Sequence, residues 1–281
     1  MSDIAKTLYQ SFVEEVINKG NYDVIPEIFS EDYLDHNAPP GAPVGGFGAI
    51  RAIPMMFRGA FPDVHFIIED MVEQDDWVAT RVSAHASHIG RPMMGIEPTG
   101  LRASWSSMGF FRVANGRIVE HYGQPDMGAL HSQLTREIKP GSIDHNRFIV
   151  SRYVYATNIG ELDRFDEYVD PSFVDHNALP GQRPGVDGLK DAYRMFSAAF
   201  SDMWYTFEDL VAEGDKVVGR GVIEGKHTGA FMGIPATNKV IRWTGTRIFR
   251  IVNCKITDGW IDLDMFGMMR QLGAIPTPGQ S

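Results

Sequence analysis

The chain has 281 residues, 43% apolar and 22% charged, a composition that folds rather than staying disordered and a length that suits two domains of ordinary size. Its net charge of −10 and the lack of any basic run argue against a nucleic-acid partner, because that affinity rests on Lys and Arg clustered against phosphates. With no charged-then-apolar leader and no apolar stretch near membrane-spanning length, no membrane partner is expected, and the chain reads as cytoplasmic.

Ile4, Leu8, Phe12, Val16 and Ile17 recur at helical spacing and predict an amphipathic first helix over 3–18, with Gly20 as its stop signal. Residues 21–29 read as a second short helix. Asp35-His36-Asn37 then heads a stretch in which Pro39, Pro40, Gly41, Pro43, Gly45 and Gly46 forbid regular structure. A third helix is predicted over 49–60. After Pro62 the period shortens to two: Val64, Phe66, Ile68 and Val72 alternate with His65, Glu69 and Glu73. On a second strand over 77–88, Val78, Thr80, Val82, Ala84, Ala86 and His88 share one face and Arg81, Ser83 and His85 the other. A loop over 91–100 leads to a third strand over 101–113, with Trp105, Phe111 and Val113 on one face. Asn115-Gly116 predicts a hairpin turn. The fourth strand is expected to put Ile118, Glu120, Tyr122, Gln124 and Asp126 on one side, ahead of a closing helix over 127–134.

The same order then returns. Asp35-His36-Asn37-Ala38-Pro39-Pro40-Gly41 reappears as Asp175-His176-Asn177-Ala178-Leu179-Pro180-Gly181, His88 as His227, Trp105 as Trp243 and Asp126 as Asp264. A unit of roughly 135 residues has been duplicated, which is a whole domain. The expected division is a first domain over 1–136, a linker over 137–142 and a second domain over 143–281. Each domain reads as three helices on a strongly curved four-stranded antiparallel meander. The fold class is α+β, two tandem cones with the sheet's inner face covered by helices. Met108 and Phe110, matched by Thr246 and Ile248, are apolar on an otherwise polar outward face, so the halves are expected to pack there as an intrachain pseudo-dimer.

The helix-helix-helix-meander order, the Asp-His loop, the Met94-Gly95-Ile96 and Met232-Gly233-Ile234 stretches and the late Asp before Gln133-Leu134 and Gln271-Leu272 resemble the SnoaL-like polyketide cyclases. That family lies within the nuclear-transport-factor-2-like superfamily of cone-shaped α+β barrels. The resemblance implies a cofactor-free intramolecular aldol condensation on a polyketide ester, with the late aspartate, Asp126 or Asp264 here, as acid and base. It also implies homo-oligomers of single-domain chains, so a covalent tandem leaves room for further homodimerisation.

Beside the catalytic reading of Asp126 and Asp264 stands a plain one, a helix N-cap. His88 and His227 are either donors to a developing enolate oxygen or polar strand ends tied to a loop. His36 and His176 are candidate loop anchors at a cavity mouth. Trp105, Trp243, Tyr122 and Trp260 are core, or an apolar wall for a planar ligand. Asp262, replacing Gln124, is expected to share a cavity with Asp264 and to raise a carboxyl pKa there. No cofactor and no metal are expected: His85 and His88 point to opposite faces of a strand, and neither a phosphate loop nor a nucleophile elbow occurs. Cys254, the single cysteine, replaces Gly116 and belongs on a turn tip. The expected partner is a hydrophobic carbonyl compound. A non-catalytic ligand-binding module is the alternative, and an epoxide-hydrolase-like activity ranks last because Arg81 and Arg112 face outward.

Overall fold

The computed structural model describes residues 4–275, in which the duplication forms two compact units. One takes the chain up to His88 together with Arg102–Arg136; the other takes Ile89–Leu101 together with the chain from Glu137. The loop Ile89–Leu101, read from sequence as part of the first domain, thus groups with the second unit. There Arg147 Nε donates to the Gly100 carbonyl at 2.7 Å, and Glu97 pairs with Arg152 and Arg164.

In the first unit α1 (Ile4–Ser11) runs on as a π-helical stretch, Phe12–Asn18, and buries Tyr9, Val13 and Val16. Pro26 stands in the first turn of α2 (Ile25–Ile28), where a missing amide hydrogen costs nothing. There follow β1 (Phe29–Asp35), α3 (Gly46–Ala60), β2 (His65–Gln74), β3 (Trp77–Ser87), β4 (Arg102–Ala114), β5 (Arg117–Pro125) and α4 (Met127–Leu134). The second unit repeats this order with α5 (Ile143–Ile159), α6 (Phe165–Tyr168), β6 (Val169–Asp175), α7 (Gly185–Ala199), β7 (Phe200–Glu213), β8 (Lys216–His227), β9 (Val240–Val252), β10 (Lys255–Leu263) and α8 (Met265–Leu272). The helices cover the inner face of each curved sheet, giving two α+β cones. Tyr9, Phe29, Ile50, Val78, Phe111 and Ile118 anchor the first core; Tyr153, Phe165, Phe207, Trp243 and Phe249 anchor the second. No helix among the described residues is long and apolar enough to cross a membrane.

Each sheet has five strands, not the four expected, in the order β1-β5-β4-β3-β2 and its counterpart. The additional strand, β1, pairs in parallel with β5 at the sheet edge. Ser30-Glu31-Asp32 breaks any apolar alternation within it, and its partner lies far along the chain, so no local pattern announces it.

A second correction follows from bulges. In β5, Val113 pairs with Ile118 and Arg112 with Glu120, leaving Val119 as an extra residue; β10 has the same slip at Ile256/Asp258, and β2 and β7 slip at Ile68/Asp70 and Phe207/Asp209. One extra residue moves every later side chain to the opposite face. Ile118 is fully buried, but beyond the bulge it is His121, opposite buried Phe111, that continues the inner face. Glu120, Tyr122 and Gln124 turn outward, as do Asp258, Trp260 and Asp262. Val72 likewise stands 67% exposed. Met108 and Phe110 are 61% and 55% exposed on the outer face of their sheet. With Val72, Trp77 and Ala79, Phe110 and Tyr122 line an open outer groove of about 500 Å³.

The hairpin turns are as expected: Asn115 and Gly116 have φ of 51° and 72°, Asn253 and Cys254 of 50° and 62°. At the second position a left-handed backbone suits Gly and strains Cys. Cys254→Gly is therefore expected to stabilise the second unit by about 1 kcal/mol, read as a rise of roughly 2–4 °C in its thermal midpoint; a lower midpoint would contradict the strain.

Candidate active site

The repeated Asp-His-Asn stretch is a latch between the end of β1 and β5. His36 N donates to the His121 carbonyl at 2.9 Å, and Asn37 Oδ1 accepts from the Gly123 amide at 3.1 Å. The second copy repeats both bonds, His176 N to the Gly259 carbonyl and Ile261 N to Asn177 Oδ1, each at 2.9 Å. The histidine side chains lie on the outer face. His36 stacks on Tyr122 at 4.0 Å and meets Glu120, while His176 stacks on Trp260 at 4.2 Å and meets Asp258.

The aspartate of the latch points the other way. Asp35 is 5% exposed, accepts the Asn37 amide at 2.9 Å, and lies 3.3 Å from His121 Nδ1. An ionised carboxylate only accepts, so Nδ1 carries the hydrogen and Nε2 keeps its lone pair. The His121 ring stacks on Phe111 at 4.3 Å. It can lie there because the cross-strand pair Gly109 and Gly123 has no side chains: a Cβ on Gly123 would fall 2.0 Å from His121 Nε2, and one on Gly109 3.2 Å. Three hydroxyl-bearing side chains are buried in the same core: Tyr9 from α1, Tyr33 from β1 and Thr80 from β3. Burial raises the Tyr9 phenol to about 12 against a hydrogen bond with Thr80; burial, reinforced by the Asp35 charge, raises Tyr33 further. Both stay protonated and remain donors. The arrangement joins a lone pair on Nε2, its carboxylate orienter and hydroxyl donors inside one cone, which is the equipment for moving a proton to and from carbon.

The structure places the sequence candidates elsewhere. Asp126 and Asp264 are exposed and cap their own helices, accepting from Ala129 N and Gly267 N at 2.8 Å each. Their expected inward orientation is corrected, because the bulge turns the strand before them. Tyr122 is 42% exposed, Trp260 is partly buried on the outer face, and Asp262 is exposed there, so the shared cavity expected for Asp262 and Asp264 does not form. Trp105 and Trp243 are inner-face core, both 3% exposed. His88 and His227 are fully buried; His227 Nδ1 accepts from Thr237 N at 3.2 Å and so ties the strand end to its loop. Arg81 and Arg112 pair on the outer face with Asp70 and Glu120. Among the described residues no group of three or more His, Cys, Asp or Glu could hold a metal ion.

The cones are not equivalent. In the second, Asp175 accepts from Asn177 N and Gln182 Nε2, both at 3.0 Å, but Gly259 stands where His121 would be. The Phe173 ring lies over that glycine, 2.7 Å from where a Cβ would sit. The difference between His121 and Gly259 is plain in the sequence. The bulge that aims His121 inward is not.

Burial by itself raises the Asp35 pKa, but the hydrogen bonds from His121 and the Asn37 amide, with the nearby imidazoles, outweigh it and hold the carboxyl below its ordinary value. A lower pKa in the folded state means that ionised Asp35 contributes stability in full above the ordinary carboxylate range and loses it as pH falls through the folded value. Asp35→Asn is expected to lower stability at neutral pH and to flatten the acid limb of a stability profile. Urea midpoints from about pH 7 to about pH 3 check it, and an unchanged limb contradicts it.

The model of the SnoaL-like polyketide cyclase family matches residues 7–134 and again 147–272. Nogalonic acid methyl ester cyclase of Streptomyces nogalater is 31% identical over 122 residues, covering 43% of this chain and 91% of the relative. Aklanonic acid methyl ester cyclase DnrD of Streptomyces peucetius is 32% identical over 137 residues, covering 46% of this chain and 92% of the relative. Among solved structures, TsrD from Streptomyces laurentii is 29% identical, with a TM-score of 0.45 over 50% of this chain and 100% of that one. Matched once by each repeat, the chain belongs to the SnoaL-like polyketide cyclase family and is an enzyme of the cyclase type.

Proposed function

We propose that the first cone closes a ring in a hydrophobic carbonyl compound by a cofactor-independent intramolecular aldol step, on a neutral ester of the kind for which the two relatives are named. His121 Nε2 takes a proton from the carbon beside one carbonyl. The resulting enolate oxygen is met by the phenol donors Tyr9 and Tyr33, which lie in a low-dielectric cone where such bonds are strong; Thr80, whose hydroxyl donates to the Gly109 carbonyl at 3.3 Å, supports Tyr9. The enolate carbon attacks a second carbonyl of the same molecule and forms the new carbon–carbon bond, and the alkoxide so produced takes the proton back from the imidazolium. The proton lent is the proton returned, so no cofactor is needed.

The observation that carries this reading is the buried Asp35 carboxylate on His121 Nδ1, which fixes the ring with its basic nitrogen over Gly109 and Gly123. On this reading Asp126 serves α4 as its cap and leaves proton transfer to His121. The neutral ester suits a site whose one carboxylate is already engaged by its own imidazole.

Aklanonic acid methyl ester is a suitable probe, with ring closure followed by chromatography. His121→Gln is expected to lower turnover by roughly 10²–10⁴-fold while leaving probe affinity nearly unchanged. Asp126→Asn keeps a capping side chain and is expected to retain turnover within a few-fold. The opposite pattern, with Asp126→Asn inactive and His121→Gln active, would return the acid–base role to Asp126.

A further inference from the structure

The second cone lacks the imidazole but carries a group that the first does not. Along β9 the buried residues Trp243, Gly245 and Phe249 alternate onto the inner face, and Arg247 lies between the last two in the same register. Its cross-strand neighbours are Gly219 on β8 and Ile261 on β10. The first repeat has Gly109 at this position.

The guanidinium carbon sits 4.7 Å over the Tyr205 ring, and Nε is buried with no hydrogen-bond partner. Outer-face arginines have carboxylate partners that Arg247 lacks: Arg220 pairs with Glu208 and Asp209, and Arg112 with Glu120. Among the described residues no carboxylate pairs with Arg247, and Asp175 is engaged by Gln182 and the Asn177 amide. A partly buried cation without a counter-ion is costly to keep in an apolar cone, and the cost is recovered when a ligand brings the opposite charge.

We propose that the cone of the second unit is a binding site for a monocarboxylate on an aromatic body, held by the Arg247 guanidinium. One cation balances one negative charge, and the planar fork of Arg matches a carboxylate better than a tetrahedral dianion supplied with no second cation. The walls suit a flat apolar body: Tyr205, Phe249, Ile261 and Leu263 face the same side of the sheet as Arg247. Burial raises the Tyr205 phenol to about 12 despite the nearby guanidinium, so it stays neutral beside the anion, with its hydroxyl directed at the Gly219 carbonyl at 3.5 Å. The site does not depend on the chemistry assigned to the first cone. It makes the second repeat a reader of the free acid, whereas the first is assigned a neutral ester.

The test uses the full chain in a His121→Gln background, which removes turnover in the first cone, and compares Arg247 with its variants so that any binding in the first cone is common to both. The probes are anthraquinone-2-carboxylate and its methyl ester, with binding followed by calorimetry. The acid is expected to bind, and Arg247→Met is expected to weaken it by roughly thirty-fold or more while leaving the ester's affinity unchanged. Without ligand, Arg247→Met is expected to hold or raise the thermal midpoint, because it removes an unpaired charge. Arg247→Lys, which keeps the charge but loses the fork, should bind the acid with intermediate affinity. The proposal is overturned if the acid fails to bind, if Arg247→Met binds it unchanged, or if Arg247→Met lowers the midpoint or fails to fold, since the guanidinium would then already be satisfied within the fold.

Discussion

The inserted Val119 in β5 decides which chemistry enters the first cone. Before it, Ile118 fills the core; after it, the inner face passes to His121, and Tyr122 and Gln124 go outward. Were Val119 held in regular alternation instead of bulged out, the inner face would receive Glu120 and Tyr122, and Asp35 would have no partner on the strand beside it. The latch from β1 fixes the same outcome from the other side, since His36 and Asn37 hold the backbone of β5 at His121 and Gly123 while Asp35 reaches inward. Local backbone geometry thus sets the electrostatics of the site, and the glycines at 109 and 123 provide the room.

Much of the fold was legible because it rests on patterns that the chain repeats. Helical spacing from Ile4 to Ile17, alternation from Val78 to Ala86 and the Asn115-Gly116 turn each correspond to an element of the structure. What escaped was non-local. The strand Phe29–Asp35 has no alternation of its own and exists because β5 pairs with it. The bulges add a residue without any Gly or Pro to mark them, so a strict period of two placed Tyr122 and Asp126 inside and His121 outside. The inward orientation expected of Asp126 and Asp264 inherited that error, whereas their alternative reading as helix caps matches the structure; the two residues that meet in the first cone, Asp35 and His121, come from a loop motif and from the strand face expected to point outward.

Duplication has let the cones diverge while keeping their scaffold. The latch, both caps, the buried Trp and the buried His persist in each repeat, and these hold strands, helices and loops together. Among the residues that differ are His121 and Gly259, Gly109 and Arg247, and Gly123 and Ile261, all on the inner faces of β4 and β5 or of β9 and β10. Substitution there changes what the cone can bind or do without touching the bonds that make it a cone. This is how one fold comes to host different chemistry.

The central claim is that Asp35 fixes the His121 ring with the proton on Nδ1. Long-range ¹H–¹⁵N correlation spectra of the imidazoles, recorded at a pH where His121 is neutral, read the tautomer directly. The account predicts a protonated Nδ1 and a bare Nε2 for His121, reverting toward the free-imidazole mixture in Asp35→Ala. A His121 that carries its proton on Nε2 in the unmodified protein would contradict it.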